Sequence, residues 1–278
     1  MLMQPFKALK ALARTRSASF TRDFLASNST ADHDRLACVP WRSGDGRPVY
    51  YRPGTVDVEV LYNVLFKPGR KGEYWLPPQF EPKLILDIGG NIGATSRYLS
   101  YRFPRAGVHA FEPVAENCAL LERNVAGTRV TVHPYGLGER SGSFEFRLAP
   151  GGEANRGGYS LARPAAEGGR VARGEVRAVR QVLQELAPAA IDLIKIDVEG
   201  AEHEILNAFP DDVLANTAWI YGELHSEPVD PRLAFGLLAK LAAWFDIEVH
   251  KSLRKRNWFF DACNRRDSRR FRGFRRER

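Results

Sequence analysis

The segment DLIKIDVEGAEHEIL, residues 192–206, places Leu193, Ile194 and Ile196 in a run suited to a buried strand and then ends it on carboxylates. Asp197 and Glu199 come first, followed after Gly200 by Glu202 and Glu204. A charge at the end of a buried strand loses solvation unless a ligand, a proton or a cation pairs with it. A later run, AWIYGELH (218–225), ends in the same manner with Glu223 and His225 two positions apart. Acids and an imidazole at adjacent strand ends suit removal of a proton from an alcohol, with His225 as the first choice of base and Asp197 as the other. Asp197 and Glu199 face one side if the backbone stays extended there. Glu202 and Glu204 fit the first turn of a helix, where the dipole favours negative charge. His203 fits that helix's surface. Lys195 either neutralises the carboxylates or reaches outward.

A second constellation lies upstream in LILDIGGNIGATSR, residues 84–97. Asp87 closes a strand, and Gly89, Gly90 and Gly93 allow a tight turn with close backbone approach. The next helix starts with unsatisfied N–H groups directed at a ligand site. A phosphate loop of the Walker type requires lysine and a hydroxyl after its last glycine, whereas Ala94 follows here. The G-x-G-x-x-G spacing of dinucleotide folds is also absent, which excludes an NAD-linked oxidoreductase. An acid inside the turn suits a ligand carrying positive charge, and S-adenosylmethionine carries an ammonium and a sulfonium. Glu112, nineteen residues past Gly93 at the end of the next strand, suits two ribose hydroxyls.

Positioning these residues requires strands alternating with helices. KLILDI (83–88), VHAFE (108–112), VTVHPY (130–135), IDLIKID (191–197) and AWIYGELH read as strands. ATSRYLSYRF, AENCALLERNVA, VRQVLQEL, AEHEILNAF and RLAFGLLAKLAAWF have helical periodicity between or after them. The alternation predicts a parallel, doubly wound sheet. IEVHKS and NWFFDA read as a closing pair of strands joined by a turn at 253–256, placed as an antiparallel edge. SFEFRL (143–148) alternates with period two and suits an edge strand. The Gly-rich stretch 150–174 and the polar stretch 24–48 read as loops, and Thr55 as the cap of a helix through Val58, Leu61, Tyr62 and Leu65.

DIGGNIG (87–93), FEP (111–113), GLG (136–138) and IDLIKIDVEGAEHEIL (191–206), in this order and spacing, resemble the FkbM-type S-adenosylmethionine-dependent methyltransferases. RPGTVDVEVLYNVLF with GEYWLP is similar to the element preceding the core in that family, so the resemblance covers about residues 50–226. It implies a class I methyltransferase (Rossmann-like) fold: a mostly parallel seven-stranded sheet, helices on both faces, and an antiparallel last strand. It also implies that Asp87, Gly89, Gly90, Asn91 and Gly93 cradle the methionine part of the cofactor, Glu112 its ribose, and Tyr135 and Gly136 its adenine. Gly136 departs from the alanine frequent in the family. Asp197, Glu199, Glu223 and His225 are the expected catalytic group. A divalent cation held by Asp197, Glu199 and Glu223 is the alternative and is not expected. The expected reaction is O-methylation of a sugar, polysaccharide or natural-product hydroxyl. A degenerate binding protein on the same fold is the other reading.

Composition sets the frame. The chain has 278 residues, 44% hydrophobic and 27% charged, enough for one large α/β domain with appendages. The expected organisation is a basic leader and loop over 1–48, a helical lid element over 49–81, the catalytic domain over 82–263, and an Arg-rich tail over 264–278. Between Arg265 and Arg278, eight arginines face Asp267 and Glu277, so six of the eight net positive charges belong to the tail. A near-neutral body offers no basic groove, and a nucleic-acid partner is not expected. The rival is an RNA-associated enzyme that grips through the tail and stacks bases on Phe271 and Phe274. Residues 1–22 contain no acid and place Leu2, Phe6, Leu9 and Ala13 at helical spacing among basic residues, which suits a loose leader or contact with an anionic membrane surface. Cys38, Cys118 and Cys263 are too scattered for a zinc site or disulfide framework. With no apolar run near bilayer length, a cytoplasmic location is expected.

Overall fold

The computed structural model describes residues 3–26, 33–67, 69–148, 154–161, 170–225, 230–251, 258–268 and 271. The chain opens with helices α1 (Met3–Thr15) and α2 (Ala18–Leu25), then strands β1 (Ala37–Pro40) and β2 (Pro48–Tyr51), and helix α3 (Asp57–Leu61), which widens into a π-helical turn to Phe66. The central part runs β3 (Leu84–Ile88), α4 (Ala94–Arg102), β4 (Gly107–Phe111), α5 (Ala115–Val125) and β5 (Val130–His133). A small sheet is formed by β6 (Gly136–Gly138), β7 (Gly142–Arg147) and β8 (Val171–Ala178), and α6 (Val179–Leu186) follows. The chain then continues through β9 (Leu193–Ile196), α7 (Glu202–Ala208), α8 (Asp211–Asn216), β10 (Trp219–Leu224), α9 (Pro231–Leu241), β11 (Phe245–Lys251) and β12 (Trp258–Asn264).

Seven strands form one sheet in the order β11-β12-β10-β9-β3-β4-β5, and only β12 runs against its neighbours. This is the predicted mostly parallel sheet. The closing pair forms the antiparallel margin expected of it. β12 inserts between β10 and β11, leaving β11 at the margin, while the predicted turn joining them lies outside the described residues.

Alternation along the central strands sorts the two faces. Leu86 and Ile88 of β3, with Ile194 and Ile196 of β9, pack in one core with Val182 of α6, Ile205 of α7, Leu214 of α8 and Leu237 of α9. Ile85 and Leu193 point to the opposite face, among Leu99 of α4 and Val108 of β4. With both faces covered, β9 and β10 are buried at every position. Order reverses beside β3: β4 lies on one side and β9 on the other, and the strand ends on either side of that point face one crevice.

Three stretches differ from the sequence expectation. Polar 24–48 contains β1, paired with β2 in antiparallel register. The Gly-rich 150–174 is not all loop, because Val171–Gly174 begin β8, six of whose eight residues pair with β7. SFEFRL does form an edge strand, β7, but of the small sheet. The N-terminal helices are not a loose leader either. Ala11, Phe20 and Phe24 are buried in a core shared with Tyr51, Leu61 and Phe66. Arg52, itself buried, bridges Asp57 and Asn117 and so ties the start of α3 to α5. Thr55 Oγ1 accepts from the Asp57 amide, as expected of a residue just before a helix.

The tail reading changes as well. Phe271 is buried among Phe80, Trp219 and Phe103, so it offers no ring for base stacking; Phe274 lies outside the described residues. Among the described residues no helix is long and apolar enough to cross a membrane.

Candidate active site

The turn from β3 to α4 is made by backbone that only certain residues accept. Gly89 and Gly93 have φ of +85° and +82°, and Asn91 has 46°, within the left-handed region that asparagine tolerates better than most. Gly89 also has no room for a side chain, since a Cβ there would stand 2.0 Å from the Asp197 carbonyl oxygen. Gly90 and Gly93 are pressed by Leu121 of α5 in the same way. Three of the glycines thus serve helix and strand packing as much as ligand approach. The turn is held to the end of β4: the amides of Gly89 and Gly90 donate to Phe111 O, and the Asn91 amide donates to Glu112 Oε2 at 2.8 Å. Glu112 Oε1 accepts from the Val114 amide at 3.0 Å.

Asp87 does not face this crevice. It lies directly across from Lys195 in the β3–β9 register, fully buried, with Lys195 Nζ 3.0 Å from its Oδ1 and Ser96 Oγ donating to its Oδ2. Lys195 also donates to Gly89 O at 2.6 Å. Burial pulls the lysine's pKa down, but the charges of Asp87 and Asp197 outweigh it and hold it above its ordinary value. Lys195 thus does not reach outward, and its ion pair is with Asp87 rather than with the strand-end carboxylates. Asp87 and Lys195 together clamp the turn from beneath.

Two adjacent spaces open above the strand ends. The inner one is walled by Gly89, Asn91, Glu112, Gly136, Leu137 and Val198, and roofed by Phe146, Tyr159, Leu161 and Val176 from the small sheet and the loop beside it. Tyr135 is not among its lining residues. That ring packs on His133 and Phe111, and Leu137 takes the inner position. The outer space is a cleft of about 450 Å³ bounded by Val56, Glu59, Val60, Asn63, Glu73 and Tyr74 on one side and by Lys195, Asp197, Glu199, Glu223 and His225 on the other. Gly89, Asn91, Gly157, Asp197 and Glu199 line both spaces. Tyr74 is kept neutral there, its hydroxyl raised well above the ordinary range by burial and by the charges of Glu73, Asp197 and Glu223.

All four residues of the predicted catalytic group meet in the outer cleft. His225 Nε2 stands 3.9 Å from Asp197 Oδ1, 3.5 Å from Glu199 Oε2 and 3.8 Å from Glu223 Oε1. The reason differs from the one inferred for Asp197 and Glu199. The backbone is not extended at Glu199, where φ is 58°, and the left-handed turn carries its carboxylate back to the mouth. Such strain at a non-glycine residue costs about 1–3 kcal/mol and survives only where surroundings enforce it.

Glu202 opens α7 as expected, but it does more than start a helix. It is 2% exposed, accepts from the Val198 and Gly200 amides, and lies 2.7 Å from His225 Nδ1. It shapes the turn after β9 and fixes the imidazole at once. Glu204, by contrast, is exposed as expected of the helix surface. Burial alone lowers the pKa of His225, but the hydrogen bond and charge of Glu202, with Glu199 and Asp197, push it up to about 10.

A crossover of this order, with a glycine turn after the first strand and acids at the ends of the fourth and fifth, has the architecture of class I methyltransferases. The chain belongs to the FkbM methyltransferase family, whose domain matches residues 87–255. Over 186 residues it is 32% identical to the AMB antimetabolite synthetase AmbE of Pseudomonas aeruginosa; the match covers 55% of this chain but only 9% of that protein. Methyltransferase 1 of Beauveria bassiana is 26% identical over 188 residues, 60% of this chain and 74% of the relative. The crystal structure of methyltransferase FkbM from Methylobacillus flagellatus aligns with 66% of this chain and 43% of its own, at 17% identity and a TM-score of 0.44.

Proposed function

We propose that this protein transfers a methyl group from S-adenosylmethionine to a hydroxyl of a sugar, polysaccharide or small natural product. The observation carrying this reading is that the two spaces lie side by side and share Asn91, Asp197 and Glu199 as walls. The donor set of the inner space fits the cofactor. Asn91 Oδ1 is buried without a hydrogen-bond partner and is suited to accept from an ammonium or amide donor. The Glu112 carboxylate keeps lone pairs for two hydroxyls, and Phe146, Leu137 and Val198 supply an apolar slot. Bound there, the cofactor would supply an electrophilic methyl.

What remains for the protein is to place the acceptor, exclude water and remove a proton. The outer cleft is strongly acidic, with Glu59, Glu73, Asp197, Glu199 and Glu223 on its walls and Lys195 already paired with Asp87. That field disfavours phosphorylated or carboxylated acceptors and leaves neutral polyols favoured. Asp197 spans both spaces and is the base we assign to the acceptor hydroxyl. His225, surrounded by carboxylates, positions them and holds a proton at neutral pH that only a competing cation would displace.

Calorimetric titration tests the reading. Micromolar S-adenosylmethionine binding by the parent is expected, weakened at least about tenfold in Glu112→Gln. A folded parent that does not bind leaves a degenerate binding protein. Burial also pushes Glu112 up to about 7 against the opposing amides of Val114 and Asn91. Hydroxyl donors favour its ionised form, so affinity should rise about tenfold from pH 6 to pH 8 and flatten in Glu112→Gln. Stability of the unliganded fold runs the other way. The folded pKa exceeds the ordinary one, so this group's contribution is full below about 4.5 and is lost as pH rises through about 7.

A further inference from the structure

We propose that Asp197, Glu223 and His225 form a divalent-cation site on the wall of the outer cleft. One ligand atom from each lies within 4.8 Å of the others. The separations from His225 Nε2, 3.9 Å to Asp197 and 3.8 Å to Glu223, match the donor spacing around a shared ion, about 3–4.2 Å for bonds near 2.1 Å. Small rotations of side chains would suffice to close on it.

The imidazole is mounted for this role. Its Nδ1 is engaged by Glu202 at 2.7 Å, and Glu202 is itself buried and held by the Val198 and Gly200 amides. A carboxylate behind one ring nitrogen fixes the ring orientation and makes the other nitrogen a better metal donor. That other nitrogen, Nε2, points at Asp197, Glu199 and Glu223. Glu223 and His225 are 7% and 8% exposed, so the concentration of negative charge is poorly relieved by water. Two carboxylates and one imidazole balance a dication. The mixed oxygen and nitrogen set suits Mn²⁺ and other borderline divalent ions, and three protein ligands leave coordination positions open to the cleft.

The assignment deepens the methyl-transfer reading, on which its chemical meaning rests. An acceptor hydroxyl in an open position would be polarised by the ion and would give up its proton to a neighbouring carboxylate more readily. Binding itself is measurable without turnover. Metal-stripped full-length protein is titrated with MnCl₂, and free ion is followed by electron paramagnetic resonance, with S-adenosylmethionine affinity of each variant measured in parallel by calorimetry. One saturable site per chain is expected, weakened at least about tenfold in Asp197→Asn and in Glu223→Gln and unchanged in Glu185→Gln, whose carboxylate is remote on α6. Retained cofactor binding shows that the variants are folded; should either lose it, His225→Asn replaces that variant. Absence of a saturable site in the parent, or a site that the ligand variants leave intact, overturns the proposal. A parent that binds S-adenosylmethionine but not Mn²⁺ discards the cation alone; one that binds Mn²⁺ but not the cofactor discards the methyl-transfer reading alone.

Discussion

Lys195→Met is expected to destabilise the fold by about 3–5 kcal/mol, read as a lower midpoint in chemical denaturation with an unchanged slope. The side chains of Lys195 and Asp87 are 4% and 0% exposed and meet at 3.0 Å between the two central strands. Removing the ammonium leaves a carboxylate with Ser96 as its remaining donor in a site that water does not reach. It also deletes the bond to Gly89 O, which steadies the turn. The double variant Asp87→Asn/Lys195→Met should regain much of the loss, because the cost lies in the orphaned charge rather than in the missing attraction. Equal stability of the single and double variants would show that the pair is not coupled.

Asp197→Asn is expected to lower methyl transfer about 10²–10⁴-fold. The amide keeps the shape of the side chain, and the contact between Gly89 and the Asp197 backbone is untouched, so cofactor affinity should stay within about threefold. Incorporation of labelled methyl from S-adenosylmethionine into extract material, parent against variant, measures the first quantity, and calorimetry the second. A variant that transfers at the parental rate would remove Asp197 from proton transfer. A parallel loss of cofactor affinity would instead place Asp197 chiefly in the inner space.

Much of this site could be read before folding was considered, and the failures share a cause. Asp197, Glu199, Glu223 and His225 stood out because charges at the ends of apolar runs conflict with their own segment. Glu202 conflicted with nothing local, since an acid opening a helix is ordinary. Its meaning comes from His225, twenty-three positions later and one strand across. Asp87 misled in the opposite direction: a carboxylate in a glycine turn suggests a cationic ligand, and the cation proved to be Lys195 of the adjoining strand. β8 went unread because VARGEVRA is polar and small, and its pairing with β7 rather than its own periodicity defines it. Phe271 was hidden among arginines, whose charge outweighed one aromatic in any local average. The antiparallel closing pair was legible too, whereas the insertion of β12 between β10 and β11 is a matter of long-range pairing that no local pattern carries.

That insertion governs when the enzyme comes into being. β10, which carries Glu223 and leads into His225, acquires its second neighbour only from β12, and thirty-nine residues separate His225 from Asn264. At ribosomal rates of about 5–20 residues per second, roughly 2–8 s pass between their syntheses. Throughout that interval a strand that the finished fold buries at every position presents an unpaired edge, the arrangement most prone to pairing with another nascent chain. The acidic cluster therefore gains the full support of the sheet only once β12 has been made.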